Sequence, residues 1–136
     1  MAPFPTSEKL NLKGSHFDNT NLKNARMKNA NLAYARLCDA DMDNANMCYA
    51  NLVDCNMENA NLRHAKLREA NLSKATLEEA DLYRADMKRA NLRCAKMWNA
   101  NLENANLENV DLSGIDLRGV PKKELQKWVR NWAANL

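Results

Sequence analysis

The sequence predicts an all-β solenoid, a stack of short coils, with an α-helix at its C-terminal end. The 136-residue chain repeats every five residues, without insertion or deletion, from Leu10 to Gly119. After Gly119 this pattern stops, and apolar residues recur at helical spacing instead. A period of five fits neither an amphipathic helix nor a strand. Self-similarity of this length is typical of stacked repeat units rather than of a conventional globular core.

The central residue of each quintet is large and apolar. Of the 22 centres, from Leu12 to Leu117, Leu occupies 15, Met six and Phe one. Ala stands two positions earlier in 16 of the 17 quintets between residues 25 and 105, and Cys55 replaces it once. In a short extended segment the first and third side chains point to the same side. Ala and the centre are therefore predicted to form the core, and the polar residue between them is predicted to face solvent.

The two remaining residues of each quintet must turn the chain. Gly or Asn occupies the second of these positions in 11 quintets. Both residues tolerate the positive φ that a type II turn requires there. In the middle of the chain larger residues take this position, which predicts another turn type for them; they include Tyr34, Glu69, Glu79, Arg84 and Arg89.

The motif Ala-(Asn/Asp)-Leu-X-X resembles that of the pentapeptide-repeat family, over about four-fifths of the chain. This resemblance implies a right-handed quadrilateral parallel β-helix with four quintets in each coil, so that the 22 quintets make about 5.5 coils. One column of such a coil would consist of stacked amides, which can form a hydrogen-bonded ladder. The column comprises Asn11, Asn31, Asn51, Asn71 and Asn91, followed by Asp111.

Three segments follow from the pattern: an N-terminal arm over residues 1–9, the repeat β-helix over residues 10–119, and an amphipathic helix over residues 120–136. Pro121 suits the first turn of that helix. We expect the helix to cap the last coil; the alternative is a homodimer contact through this end of the rod, so the chain is predicted to be a monomer or such a dimer. The residues of this apolar stripe are Leu125, Trp128, Val129 and Trp132.

The sequence contains no recognisable site for catalysis, a metal or a cofactor. His16 and His64 are too far apart on a rod to meet, and side chains that point outward in parallel leave no concave pocket. The cysteines lack metal-ligand spacing and are expected on separate faces, or in the core for Cys55, which fits a reducing cytoplasm. No apolar run is long enough to span a membrane. We therefore expect a cytoplasmic protein that is not an enzyme and has no cofactor.

The charge of the predicted rod is balanced in total but uneven between opposite faces. Residues 10–119 contain 15 basic and 15 acidic residues, so the net charge of +3 comes from the C-terminal segment. The acidic face comprises Asp18, Asp39, Glu58, Glu78, Glu79 and Asp116 with Arg36, Lys96 and Arg118. The basic face comprises Arg26, Lys28, Lys66, Arg68, Lys88 and Arg89 with Glu69, Asp86 and Glu108. A candidate interaction surface lies on the basic face at Lys28, Arg68, Lys88 and Arg89; chance asymmetry of a solvated surface is the alternative.

These features favour a protein-interaction or structural scaffold that presents rigid charged faces to an unknown protein partner. The family resemblance also implies an alternative, a DNA mimic that binds type II topoisomerases such as gyrase. A rod without net charge lacks the acidic surface that such mimicry requires. Nucleic-acid binding through the basic face is a second alternative, but acidic residues interrupt that face and only Tyr49 is available for stacking.

Overall fold

The structure, a computed structural model, describes the backbone of residues 9–133 and the side chains of residues 9–128. The predicted N-terminal arm, residues 1–9, lies outside the described residues apart from Lys9. One helix, α1, spans Lys122–Ala133 and begins directly after Pro121.

The rest of the described chain is a stack of coils joined by parallel β-bridges. Each flat segment contributes one bridging residue, which pairs with the residue 20 positions later, from Asn11 with Asn31 to Lys96 with Asp116. We call this residue, the polar one between Ala and the centre, the bridge residue. A turn follows each centre, so a coil of 20 residues contains four bridge residues and four turns.

The core is a continuous column of alanines and large apolar centres. The centres from Leu32 to Leu102 are at most 1% exposed, and their methionines are buried as completely as their leucines. Cys55 is buried in the place of an alanine. Centres at both ends are only half-buried, such as Leu12 and Leu117, because each has a coil on one side only. The core therefore runs along the axis of the stack.

All 22 turns place their second residue at positive φ, between 54° and 77°. The prediction of another turn type for the mid-chain quintets is therefore wrong. In the turn at Tyr34, the N–H of Ala35 donates to the carbonyl of Leu32 (3.0 Å), and the N–H of Tyr34 donates to Val53 in the next coil (2.9 Å). Stacking imposes this geometry on every quintet, and it overrides the local preference of Tyr, Glu, Lys and Arg for negative φ.

The backbone N–H groups of each inner quintet are satisfied in a fixed pattern. In quintet 31–35, four of the five donate to backbone carbonyls at 2.7–3.0 Å, three of them in neighbouring coils and one across the turn. The fifth, from Ala33, donates to Oδ1 of the Asn31 side chain at 3.2 Å. Without that side-chain acceptor, this N–H would have no partner within the repeat.

The same bond explains why asparagine and aspartate dominate the bridge position. Among the 22 bridge residues, all 16 that are Asn or Asp accept the N–H two residues later, at 3.0–3.3 Å. Solvent exposure alone would permit any polar residue there. The repeat motif is therefore a consequence of backbone hydrogen bonding as well as of burial.

The predicted amide ladder forms over only part of its column. Within the described residues, amide-to-amide bonds there join Asn11, Asn31 and Asn51, at 3.4 Å each. Shorter bonds occur in another column, where Asn61 donates to Asp41 and Asn101 donates to Asp81, both at 2.9 Å. In both columns a single Oδ1 atom accepts the turn N–H and the amide of the neighbouring coil, and the negative charge of the aspartate shortens the bond between coils.

Gly14 and Gly119, at opposite ends of the stack, both have positive φ, but only at Gly119 would an added Cβ also overlap a neighbouring side chain. Gly14 and Gly119 have φ of +68° and +77°, but an added Cβ would meet nothing within 4 Å at Gly14 and would lie 1.9 Å from Asn99 Oδ1 at Gly119. We expect Gly14→Ala to cost about 1 kcal/mol of unfolding free energy and Gly119→Ala about 2–3 kcal/mol. Urea denaturation of both variants measures the difference, and equal costs would show that the contact with Asn99 relaxes freely.

Candidate interaction faces

Six bridge residues are neither Asn nor Asp, and all six lie in two opposite columns of the coil. The column on the basic face contains Arg26 and Lys66, whereas the column on the acidic face contains His16, Arg36, Thr76 and Lys96. The other two columns consist entirely of Asn and Asp. The structural rule of the repeat is therefore broken only on the two charged faces, as expected where a surface is used for something besides stability.

One of these departures is compensated by a neighbouring coil. Arg36 cannot accept the N–H of Cys38, and Oδ1 of Asp18 accepts it instead, at 3.0 Å. The other carboxylate oxygen of Asp18 pairs with the Arg36 guanidinium at 2.5 Å. Asp18 thus supplies the acceptor that its neighbour lacks and also neutralises the charge of that neighbour.

We expect Asp18→Ala to lower the free energy of unfolding by about 1–3 kcal/mol, because it leaves the Cys38 N–H and the Arg36 charge without this partner. Asp18→Asn is the matched variant: its amide oxygen can still accept the N–H, but the ion pair is lost. Because Arg36 is largely exposed, the Asn variant should retain most of the stability. Chemical denaturation decides between them, and equal losses would assign the effect to the ion pair.

Most of the candidate surface on the basic face is already paired within the chain. Arg68 forms an ion pair with Asp86; Lys88 lies 3.3 Å from Glu108, and Arg89 lies 3.8 Å from Glu69. The ammonium group of Lys28 lies over the ring of Tyr49, 5.7 Å from its centroid. Among the described residues, the basic-face cations without a carboxylate within 4.0 Å are Arg26, Lys28 and Lys66.

The acidic face has the opposite balance. Asp18 and Asp116 are paired with Arg36 and Arg118. The remaining carboxylates have no cation within 4.0 Å in the part of the chain that the structure describes; they are Asp39, Glu58, Glu78 and Glu79. Exposed Trp98 stands in the same column as Glu58 and Glu78. Subtracting unpaired Lys96 leaves the face with three negative charges, against three positive charges on the opposite face.

A third face is occupied by a network of polar and aromatic side chains. His64 Nδ1 lies 3.1 Å from Asp43 Oδ1, and its ring meets the edge of Tyr83 at a centroid distance of 5.9 Å. The Arg63 and Arg84 guanidinium groups lie 4.4 and 5.2 Å from the centroid of the Tyr83 ring. Arg63 also pairs with Asp81 on the same face, so this surface contains cations and carboxylates together.

Comparison with known proteins agrees with this repeat. A family model described as pentapeptide repeats matches eight copies, over residues 9–44, 25–63, 55–93 and 85–120. The chain belongs to the pentapeptide repeat family. A search of curated proteins gives no match.

Solved structures of pentapeptide repeat proteins resemble this family member along most of its length. Rfr23 from the cyanobacterium Cyanothece 51142 is 28% identical, with 80% of this chain and 84% of that chain covered and a TM-score of 0.44. HetL from Nostoc sp. strain PCC 7120, involved in heterocyst differentiation regulation, is also 28% identical, with 82% and 59% covered and a TM-score of 0.40. A thylakoid-lumen protein of Arabidopsis thaliana is 24% identical, with 88% and 77% covered and a TM-score of 0.46.

The C-terminal stripe of this pentapeptide repeat protein is described in part. Leu125 and Trp128 are half-buried and pack against the core cluster. The side chains of Val129 and Trp132 lie outside the described residues. Glu124, in the first turn of α1, is 3% exposed, and both its oxygens lie 3.3 Å from Lys127 Nζ. The capping or dimer role of the stripe stays a prediction.

The four cysteines of the repeat protein are unpaired and occupy different environments. Cys38 and Cys48 are half-buried, Cys94 is exposed and Cys55 is buried. Burial raises the pKa of the Cys55 thiol to about 12. Its Sγ lies 2.7 Å from the Leu32 carbonyl and donates to it. Burial, followed by the charges of Asp18 and Glu58, also raises the pKa of Cys38, so both thiols are poorly nucleophilic at neutral pH.

The described residues contain neither a group of metal ligands nor a helix that could span a membrane. Within them, no three His, Cys, Asp or Glu side chains gather closely enough to hold a metal ion. None of the helical structure described is both long enough and apolar enough to cross a bilayer.

Proposed function

We propose that this pentapeptide repeat protein is a non-enzymatic interaction scaffold, a right-handed quadrilateral β-helix that presents two rigid, oppositely charged faces to protein partners. One observation carries the proposal: every departure from Asn or Asp at the bridge position lies on these two faces. Four of the six departures are cations, which cannot accept the neighbouring N–H. Stability alone would favour Asn or Asp at those positions.

The continuous core supports binding on the outer surface rather than in a pocket. The inner space of the coils is filled by the buried alanines and centres, and polar side chains project from the flat faces. Because the backbone of the stacked coils is hydrogen-bonded from coil to coil, it loses little conformational entropy when a partner binds. The free thiols and the buried Cys55 support a reducing compartment such as the cytoplasm.

The proposed contact surface for an acidic partner is the basic face, with Lys28, Arg68, Lys88 and Arg89 at its corners. An affinity pull-down from the native cell, with a supercoiling assay on a type II topoisomerase beside it, tests the proposal. Recovery of a specific protein supports the scaffold. Topoisomerase inhibition at stoichiometric concentration would instead favour a DNA mimic, and recovery of nucleic acid alone would contradict the proposal.

Reversing the charge of three residues on this face, Arg68, Lys88 and Arg89, to Glu is expected to slow association with an acidic partner about tenfold at low salt and to weaken its salt dependence. Reversing three cations on the other two faces gives a control with the same net charge; these are Lys13, Lys74 and Arg84. Stopped-flow association rates measure both variants. Equal rates for the two would exclude the basic face as the contact surface.

A further inference from the structure

We propose that the two charged faces bind each other, so that the partner of the basic face is the acidic face of a second copy of this chain. The inference rests on the proposed function and specifies its partner. It predicts side-by-side association of rods that is distinct from contact through the ends of the stack.

The charges that remain after pairing within the chain are complementary. Arg26, Lys28 and Lys66 are the basic-face cations without a carboxylate within 4.0 Å in residues 9–128. The acidic face offers four carboxylates that are unpaired in the same part of the chain, Asp39, Glu58, Glu78 and Glu79, against Lys96. Each face thus has a surplus of three charges, and the surpluses are of opposite sign.

The spacing of these charges also matches. Arg26 and Lys66 lie in one column, 40 residues and therefore two coils apart. Asp39 and Glu79 also lie in one column, 40 residues apart. At about 4.8 Å for each coil, both pairs are separated by about 10 Å. A rod placed alongside another can therefore form both ion pairs together, because the two faces share one repeat distance.

The position of the faces determines what kind of assembly follows. The basic and acidic columns are two turns apart in a coil of four turns, so they lie on opposite sides of the rod. A contact between opposite sides uses two different surfaces and does not close on itself. Each added copy leaves one basic and one acidic face free, so association produces an open row of rods.

Sedimentation velocity and light scattering of the purified full chain in sodium chloride provide the first test. At about 0.01 M ionic strength the screening length is about 30 Å, and at about 1 M it is about 3 Å. We expect the weight-average mass to rise about twofold or more at low salt and to return to that of the smallest species at high salt. A mass that does not change with salt and concentration would overturn the proposal.

Complementary charge reversals give the sharper test. One variant reverses the basic face with Arg26→Asp, Lys28→Glu and Lys66→Asp, where Asp also restores the acceptor that the bridge position favours. The other variant reverses the acidic face with Glu58→Lys, Glu78→Lys and Glu79→Lys. Each variant alone presents two faces of the same sign and should not associate at low salt, whereas an equimolar mixture should associate as the native chain does.

The mixing experiment distinguishes contact between the two charged faces from any other contact between copies. Salt-dependent association of either variant alone, or a mixture that stays unassociated while the native chain assembles, would overturn the proposal. Circular dichroism of each variant establishes that it is folded, and the triple reversal of Lys13, Lys74 and Arg84 should leave assembly unchanged. If the pure chain does not assemble but captures a specific protein from the native cell, self-association fails and the scaffold function stands.

Discussion

Replacing Leu62 with alanine is expected to lower the free energy of unfolding by about 2–5 kcal/mol. Leu62 is 0% exposed and lies in the third of the stacked coils, with buried centres above and below it. Its N–H donates to Asp81 in the next coil at 2.8 Å, and such bonds fix the separation of the coils. The surrounding backbone therefore has little freedom to move into the cavity, which places the cost toward the upper part of that range.

Glu103→Lys is the matched control for this loss. Glu103 is exposed on an outer face, and its backbone takes part in the same coil-to-coil bonds, because the N–H of Arg84 donates to its carbonyl at 3.0 Å. Its substitution should change the unfolding free energy by less than about 0.5 kcal/mol. Guanidinium denaturation followed by circular dichroism measures both variants. A similar cost at the two positions would contradict the inward direction of the centres.

Truncation after Gly119 should leave a folded rod that associates end to end and is less stable by about 3 kcal/mol. Removal of α1 takes away Leu125 and Trp128, which pack against the core cluster. Val110, which stays in the truncated rod, is 7% exposed in the full chain and occupies a position that holds alanine in the inner quintets. The last coil would then present apolar side chains and an open edge of backbone groups to other molecules.

Light scattering over a range of concentrations measures the association, and the double variant Leu125→Ala and Trp128→Ala is the control. If the two side chains cap the stack, this variant should associate as the truncated rod does, although its helix sequence is otherwise intact. A truncated rod that stays monomeric would exclude capping. Loss of a native dimer on truncation would instead assign the stripe to a dimer contact.

The repeat period and the inward residues could be read from the sequence because they depend on chain geometry alone. Alternation of side chains along an extended segment places Ala and the centre on one side, and the buried series through Leu32, Leu62 and Leu102 agrees with this. The replacement of an alanine by Cys55 in the core follows from the same register. Because every quintet follows the same alternation of side chains, this local pattern is enough to predict the core residues.

The turns could not be predicted in this way, because residue preference and stacking conflict there. Tyr34, Glu79 and Arg84 favour negative φ as isolated residues but adopt positive φ in the coil. Each would interrupt the bonds to the next coil in any other conformation. The energy of a regular stack exceeds the local strain of about 1–2 kcal/mol at each such residue.

The sequence by itself determined the five-residue unit, the residues that face the core, the overall charge of each face and membership of a repeat family. Only the tertiary structure decided which charges remain unpaired, because ion pairs such as Lys88 with Glu108 join residues one coil apart. It also decided why Asn and Asp occupy the bridge position, since that preference arises from an N–H that the stacked coils leave without a backbone acceptor. The apolar repeat along the chain predicts which residues are buried. Ion pairs and hydrogen bonds between coils depend on distances that exist only after the coils have stacked.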